Sequence, residues 1–157
     1  PGPIFFSQER IGRDGVPFGC LKFRSMRPPR ASDADFQLTE GAAPGGVEGV
    51  DRRTKIGKLM RQTSLDELPQ LWNVLTGDMS LVGPRPMMPA QAPLYPGQAY
   101  YRLRPGLTGY WQISSRNESS FAERAGFDSR YAAELSLRTD VRVLFSTVRV
   151  VLRGTGY

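Results

Sequence analysis

The chain has 157 residues, enough for one domain with a real core, so neither disulfides nor metals are needed merely to hold it together. Hydrophobic and charged contents of 39% and 23% lie near the globular average, which excludes a disordered chain, and the single Cys20 excludes an internal disulfide. A net charge of +6 favours anionic partners, while the absence of His excludes His-dependent triads and His-rich zinc sites.

Residues 4–26, "IFFSQERIGRDGVPFGCLKFRSM", hold two β-rich runs around Asp14-Gly15, a strong turn signal, and predict a β-hairpin. Its second strand carries Lys22 and Arg24, with Cys20 as a small packing residue. Residues 27–50 are rich in Pro, Gly and Ala without a sustained period and predict a long loop. "TKIGKLMRQ" predicts a short amphipathic helix with Ile56, Leu59 and Met60 on one side. Ser64-Leu65-Asp66-Glu67 then fits a capping box, followed by Leu68, Leu71, Trp72 and Leu75 at helical spacing and Gly77 as a stop. Pro69 leaves two versions: Ser64 caps a helix that Pro69 bends, or the helix begins near Leu68 with Pro69 in its first position. Either version puts Asp66 and Glu67 at a helix N-terminus.

"GDMSLVGPRPMMPAQAPLYPG" is turn-rich and predicts a loop over the surface, and "GYWQIS" a short strand with Tyr110 and Trp111 as core or interfacial aromatics. From about Ser120 the pattern is helical, ending in "TDVRVLFSTVRVVLRG". There Val141, Leu144, Phe145, Val148, Val151 and Leu152 form a stripe away from most of the arginines, which suits either a membrane surface or the domain core. The elements add up to an α+β fold, a β-hairpin or small antiparallel sheet packed among several short helices with a C-terminal amphipathic basic helix. No apolar run reaches the ~18 residues of a membrane-crossing helix, and no signal peptide opens the chain. An opening on Pro1 predicts a fragment or a processed form.

The adjacent carboxylates Asp66 and Glu67 admit two readings. In the first they cap a helix and interact with its dipole. In the second they handle phosphate: a carboxylate can attack phosphorus to give an acyl phosphate, provided cations offset the substrate's charge. Arg85, held between the two prolines of "GPRP", can bind phosphate oxygens in a bidentate way, and a neighbouring acid can supply a hard oxygen ligand for Mg²⁺.

In order, "KFRSM" (22–26 by its numbers), "TSLDELPQLWNVLTGDMSLVGPRP", "RPGLTGYWQIS" and "DVRVLFSTVRVVLRG" resemble the bacterial sugar transferases, the monotopic phosphoglycosyl transferases. The likeness covers nearly all the chain except the 30–50 loop. It implies a single catalytic domain over 1–157 that moves a sugar 1-phosphate from a UDP-sugar to undecaprenyl phosphate and releases UMP, at the cytoplasmic face of the bacterial inner membrane, for exopolysaccharide or other glycoconjugate synthesis. Residue by residue, it implies Asp66 as nucleophile, Glu67 with Asp66 as ligands of a Mg²⁺ cofactor, and Lys22, Arg61, Arg85 and Arg116 as phosphate-binding residues. Glucose or galactose 1-phosphate is the sugar expected. Family members carry a hydrophobic re-entrant helix shortly before a segment like "GPIFF", so that anchor is expected to be missing here. Many relatives read "SGRN" where this chain reads Ser114-Ser115-Arg116-Asn117, which puts a glycine-dependent turn in doubt. The competing class is a non-enzymatic basic module that binds a polyanion or serves as a membrane-associated scaffold. The acidic dyad would repel a polynucleotide, so no nucleic-acid partner is expected.

Overall fold

The structure is a computed structural model that describes residues 2–28, 52–114 and 121–152. The predicted hairpin forms as β1 (Phe5–Ile11) and β2 (Pro17–Phe23), antiparallel, with Phe5 opposite Phe23 and Ile11 opposite Pro17. The turn lies where the sequence puts it: Asp14 and Gly15 both take positive φ, 57° and 78°. Almost all of the predicted 27–50 loop lies outside the described residues.

Helix α1 (Lys55–Gln62) starts where Thr54 accepts a hydrogen bond from the Gly57 amide at 2.9 Å. It packs backbone to backbone on Ser25: a Cβ at Gly57 would come within 1.8 Å of the Ser25 carbonyl oxygen. Gly57→Ala is therefore expected to push the helix off the hairpin, at about 1–3 kcal/mol as for other overpacked contacts. A melting temperature equal to that of the native chain would refute the tight contact.

The segment after α1 follows the second predicted version to within one residue, with a break before it. Ser64 sits in the left-handed region (φ 57°) and makes no side-chain cap, Leu65–Glu67 form a 3₁₀ turn, and α2 runs from Gln70 to Thr76 with Pro69 as the residue before it. A continuous helix from Ser64 would drive the Pro69 ring into the Leu65 carbonyl, so the chain turns tightly first and begins its regular helix beyond the proline. Asp66 and Glu67 thus lie in the turn that leads into α2.

Helix α2 faces opposite to its apolar pattern. Gln70 and Asn73 are buried, while Leu68, Leu71, Trp72 and Leu75 are exposed, from 41% at Leu71 to 80% at Leu75. The buried Asn73 carboxamide substitutes for a third strand on β2, taking the Leu21 amide at 3.0 Å and donating to the Gly19 carbonyl at 2.9 Å. That double bond clamps the turn holding the dyad against the strand that carries Lys22.

The stretch predicted to be a surface loop is partly core. Within it, β3 (Ser80–Val82) pairs in parallel with β4 (Gly106–Thr108), the 3₁₀ segment Pro89–Leu94 follows, and Met79, Val82, Met87 and Tyr95 are buried. The pairing depends on two glycines: a Cβ on Gly106 would come within 2.1 Å of the Gly83 nitrogen, so "VGPRP" and "RPGLTG" meet main chain to main chain. "GYWQIS" is not a strand. Its residues Tyr110–Ile113 form the one-turn helix α4, and the extended run lies just upstream, where the glycine contact permits pairing.

Helix α3 (Ala99–Arg102) places Tyr100 in a core of Met87, Tyr95 and Ala125; α5 (Arg124–Ala133) and α6 (Leu137–Leu152) bring Tyr131 and Val143 onto Val82. On α6 the inward line is Val143, with Leu144 packed beside it and Thr147 bonded to Thr108 at 2.7 Å. The predicted stripe is therefore split: Val141, Phe145, Val148 and Leu152 are exposed. The fold is α+β, with a hairpin and a small parallel pair among short helices.

Candidate active site

Two separate elements converge on the acidic turn. Strand β2 delivers Lys22, whose Nζ lies 2.8 Å from Glu67 Oε1, and the loop after β3 delivers Arg85, whose Nη2 lies 3.9 Å from the same oxygen. All three side chains are about one-fifth to one-quarter exposed, so the cluster opens to ligands but is sheltered enough for its charges to act strongly. Asp66 is buried, at 6% exposure. Burial pushes its carboxyl above the ordinary Asp range and the Glu67 charge adds to this, while Lys22, and beyond it Arg61, pull the other way. A carboxylate in such surroundings is able to act as a nucleophile.

The predicted residues divide. Lys22, Asp66, Glu67 and Arg85 come together. Arg61, at the end of α1, extends its guanidinium to the Met26 sulfur at 3.3 Å, and its charge reaches Asp66. Arg24 points elsewhere, donating to the Pro3 carbonyl at 2.9 Å and lying over the Phe6 ring. Arg116 lies outside the described residues. Cys20 and Trp111 are buried as packing residues, and Trp111 has Arg85 and Arg124 near its ring, 5.7 and 5.9 Å from the centroid.

Sequence reasoning missed three contributors. Arg10 lines a small cavity with Lys22, Glu67 and Arg85; burial and the Arg85 charge push its pKa down to about 10. Its signal was available in the strand alternation, since opposite Phe18 it shares the face of Cys20 and Lys22. Arg124, wholly buried, donates to the Arg85 carbonyl and so holds the "GPRP" segment from behind. Gln112 lines the same cavity and gave no signal at all.

Beside the charged cavity lies a second, mostly apolar groove of about 280 Å³. Its walls include Leu65, Leu68, Leu81, Ile113, Leu144 and Val151, and it shares Glu67, Arg85, Leu107 and Gln112 with the charged cavity. Among the described residues there is no cluster of three or more metal-ligating side chains. Mg²⁺ nonetheless needs only one or two carboxylates when phosphate oxygens and water complete its shell, and the adjacent Asp66 and Glu67 offer those hard donors.

A buried carboxylate, a second acid paired to Lys and Arg, and an apolar groove beside them on an α+β domain can accommodate an anionic group next to an apolar one. The family model for bacterial sugar transferases matches residues 1–154, and the chain belongs to that family. It is 44% identical to a UDP-galactose-lipid carrier transferase of Erwinia amylovora over 99% of this chain and 34% of the relative. It is 41% identical to the exopolysaccharide production protein ExoY of Rhizobium meliloti, over 99% of this chain and 73% of the relative. To the undecaprenyl-phosphate galactose phosphotransferase of Salmonella typhimurium it is 42% identical, over 99% and 34%. The chain thus spans about a third of the Erwinia and Salmonella relatives.

Proposed function

We propose that this chain catalyses transfer of a sugar 1-phosphate from a UDP-sugar to undecaprenyl phosphate, releasing UMP. The observation that carries the reading is the buried Asp66 beside the Glu67–Lys22–Arg85 cluster, next to an apolar groove that Glu67 and Arg85 help to line. The names of the relatives, a lipid carrier transferase and an undecaprenyl-phosphate galactose phosphotransferase, support the substrate classes.

In this mechanism Lys22 and Arg85 bind the pyrophosphate oxygens and offset their charge. An Asp66 oxygen attacks the β-phosphorus, a new O–P bond forms, and the bond from that phosphorus to the bridging oxygen breaks, so UMP leaves with the electron pair. An oxygen of the acceptor phosphate then attacks the same phosphorus and returns Asp66 as a carboxylate. Mg²⁺, if held by Glu67 and Asp66, would further neutralise the diphosphate. Glu67, fixed by Lys22, keeps the acidic turn oriented in both steps.

The same reading places the protein on a membrane at its cytoplasmic face. No helix among the described residues is long and apolar enough to cross a bilayer. Ile56, Leu59, Leu68, Leu71, Trp72 and Leu75 nevertheless face outward from α1 and α2, with Lys55 and Lys58 on α1. Such a face would lie in the headgroup region, held by apolar burial and attraction to anionic lipids. The groove would then admit the hydrocarbon end of the acceptor while Arg85 receives its phosphate.

Intact-protein mass spectrometry after incubation with Mg²⁺ and a panel of UDP-hexoses tests the reading. A mass gain of one hexose phosphate is expected, with glucose or galactose as the sugar. No adduct and no transfer to undecaprenyl phosphate with any sugar would overturn it. Arg85→Ala should lower the transfer rate by ~100-fold or more, as for other lost charge stabilisers. A rate unchanged in that variant would make Arg85 structural.

A further inference from the structure

Gln112 is 6% exposed, and neither its Oε1 nor its Nε2 has a hydrogen-bond partner. Two other buried carboxamides of this fold are engaged: Asn73 bonds through both atoms to β2, and Gln91 takes the Met88 amide at 2.8 Å. A buried donor and acceptor left unmade together is costly, and such a pair calls for a specific occupant. Gln112 belongs to the walls of both cavities, standing where the charged one, with Lys22, Glu67 and Arg85, meets the apolar groove.

We propose that Gln112 reads hydroxyl groups on the sugar of the donor substrate; the inference rests on the function proposed above and assigns a specificity residue to it. A phosphate oxygen only accepts, so it could satisfy Nε2 but would leave Oε1 unpaired and facing an anion. A hydroxyl both donates and accepts, and one or two of them satisfy the whole carboxamide. Lys22 and Arg85 fix the phosphate in the same cavity, and the hydroxyls closest to that phosphate are on the sugar bonded to it. The charged cavity is the narrower of the two. The sugar ring itself would extend toward the roomier groove.

A site built around a hydrogen-bonded hydroxyl discriminates strongly against an analogue that lacks it. The test compares the native chain and Gln112→Leu on the preferred UDP-hexose and on its monodeoxy analogues, with UMP inhibition measured alongside. One deoxy analogue should lose about 50-fold or more in kcat/KM with the native chain, while Gln112→Leu loses about as much on the parent sugar and no longer distinguishes the two. UMP should inhibit both equally. A fall in UMP affinity would assign the amide to the nucleobase and overturn the proposal, as would native kcat/KM values insensitive to every deoxy substitution. The native-chain series stands without the variant, should Gln112→Leu fold poorly. A native chain that turns over no UDP-sugar would defeat the underlying function and this assignment with it; an active chain showing no coupling to Gln112 would defeat the assignment alone.

Discussion

Asp66→Asn is expected to reduce sugar-phosphate transfer by ~10³-fold or more, the scale seen when a nucleophile is removed, while leaving UDP-sugar binding measurable. The amide keeps the shape of the carboxylate but cannot form the acyl phosphate. Turnover within a few fold of the native rate would take Asp66 out of that role. The pH dependence follows from the same burial. Because burial raises the Asp66 pKa above the ordinary Asp value, the rate should rise with pH through that raised value as the nucleophile ionises.

The stability effect has the opposite sense. A carboxyl whose pKa is higher in the folded state favours folding below its unfolded pKa, and that contribution is lost as pH rises through the folded value. At pH 7 the native chain therefore carries a desolvated charge that the amide lacks. Asp66→Asn should melt above the native chain at neutral pH, with the difference shrinking on acidification. An inactive variant that is more stable would mark Asp66 as a site where stability is given up for reactivity.

The second large effect is expected at Arg124. Its guanidinium is wholly buried between Tyr100, Trp111 and Phe121, with centroids 5.9, 5.9 and 5.4 Å away, and it donates to the Arg85 carbonyl. The buried Asp128 feels its charge without a direct ion pair; burial pushes that carboxyl up to about 6 against the pull of Arg124 and of the Tyr95 hydroxyl, 2.8 Å away. Arg124→Leu leaves the Arg85 carbonyl without this donor and the buried carboxyl without the nearby positive charge, at an expected ~1–3 kcal/mol. At this chain length each kcal/mol corresponds to about 2–4 °C of melting temperature. Without Arg124 the Asp128 pKa should climb further, so the variant should recover stability as pH falls. Arg124→Leu with Asp128→Leu should melt above the single variant, because removing both charges strands neither. A single variant that melts with the native chain would show that Arg124 carries no net stability.

The residues legible in the sequence were those whose meaning is local. Asp14-Gly15 announces a turn because few residues accept positive φ, and Asp66, Glu67 and Arg85 sit in short stretches whose composition already signals charge held by stiff backbone. Local signals fail where the chain meets itself at a distance. The parallel pair of β3 with β4 joins Ser80 to Gly106 through the close approach of Gly83 and Gly106, which the local pattern rendered as turn residues.

Helix α2 shows the same limit. Periodicity identifies an apolar face but not which way it points, and here the buried work of Asn73 on β2 turns Leu71, Trp72 and Leu75 outward. Arg10, Gln112 and Arg124 owe their importance to burial, and burial is a property of packed neighbours that spacing along the chain does not encode. Residue order alone was enough for the family, the hairpin and the acidic dyad, because each is carried by contiguous residue types and short-range sterics. The pairing of Lys22 with Glu67, the groove beside them and the unmet carboxamide of Gln112 arise only when strands and helices far apart in the chain exclude water together, since desolvation is what gives those groups their energies.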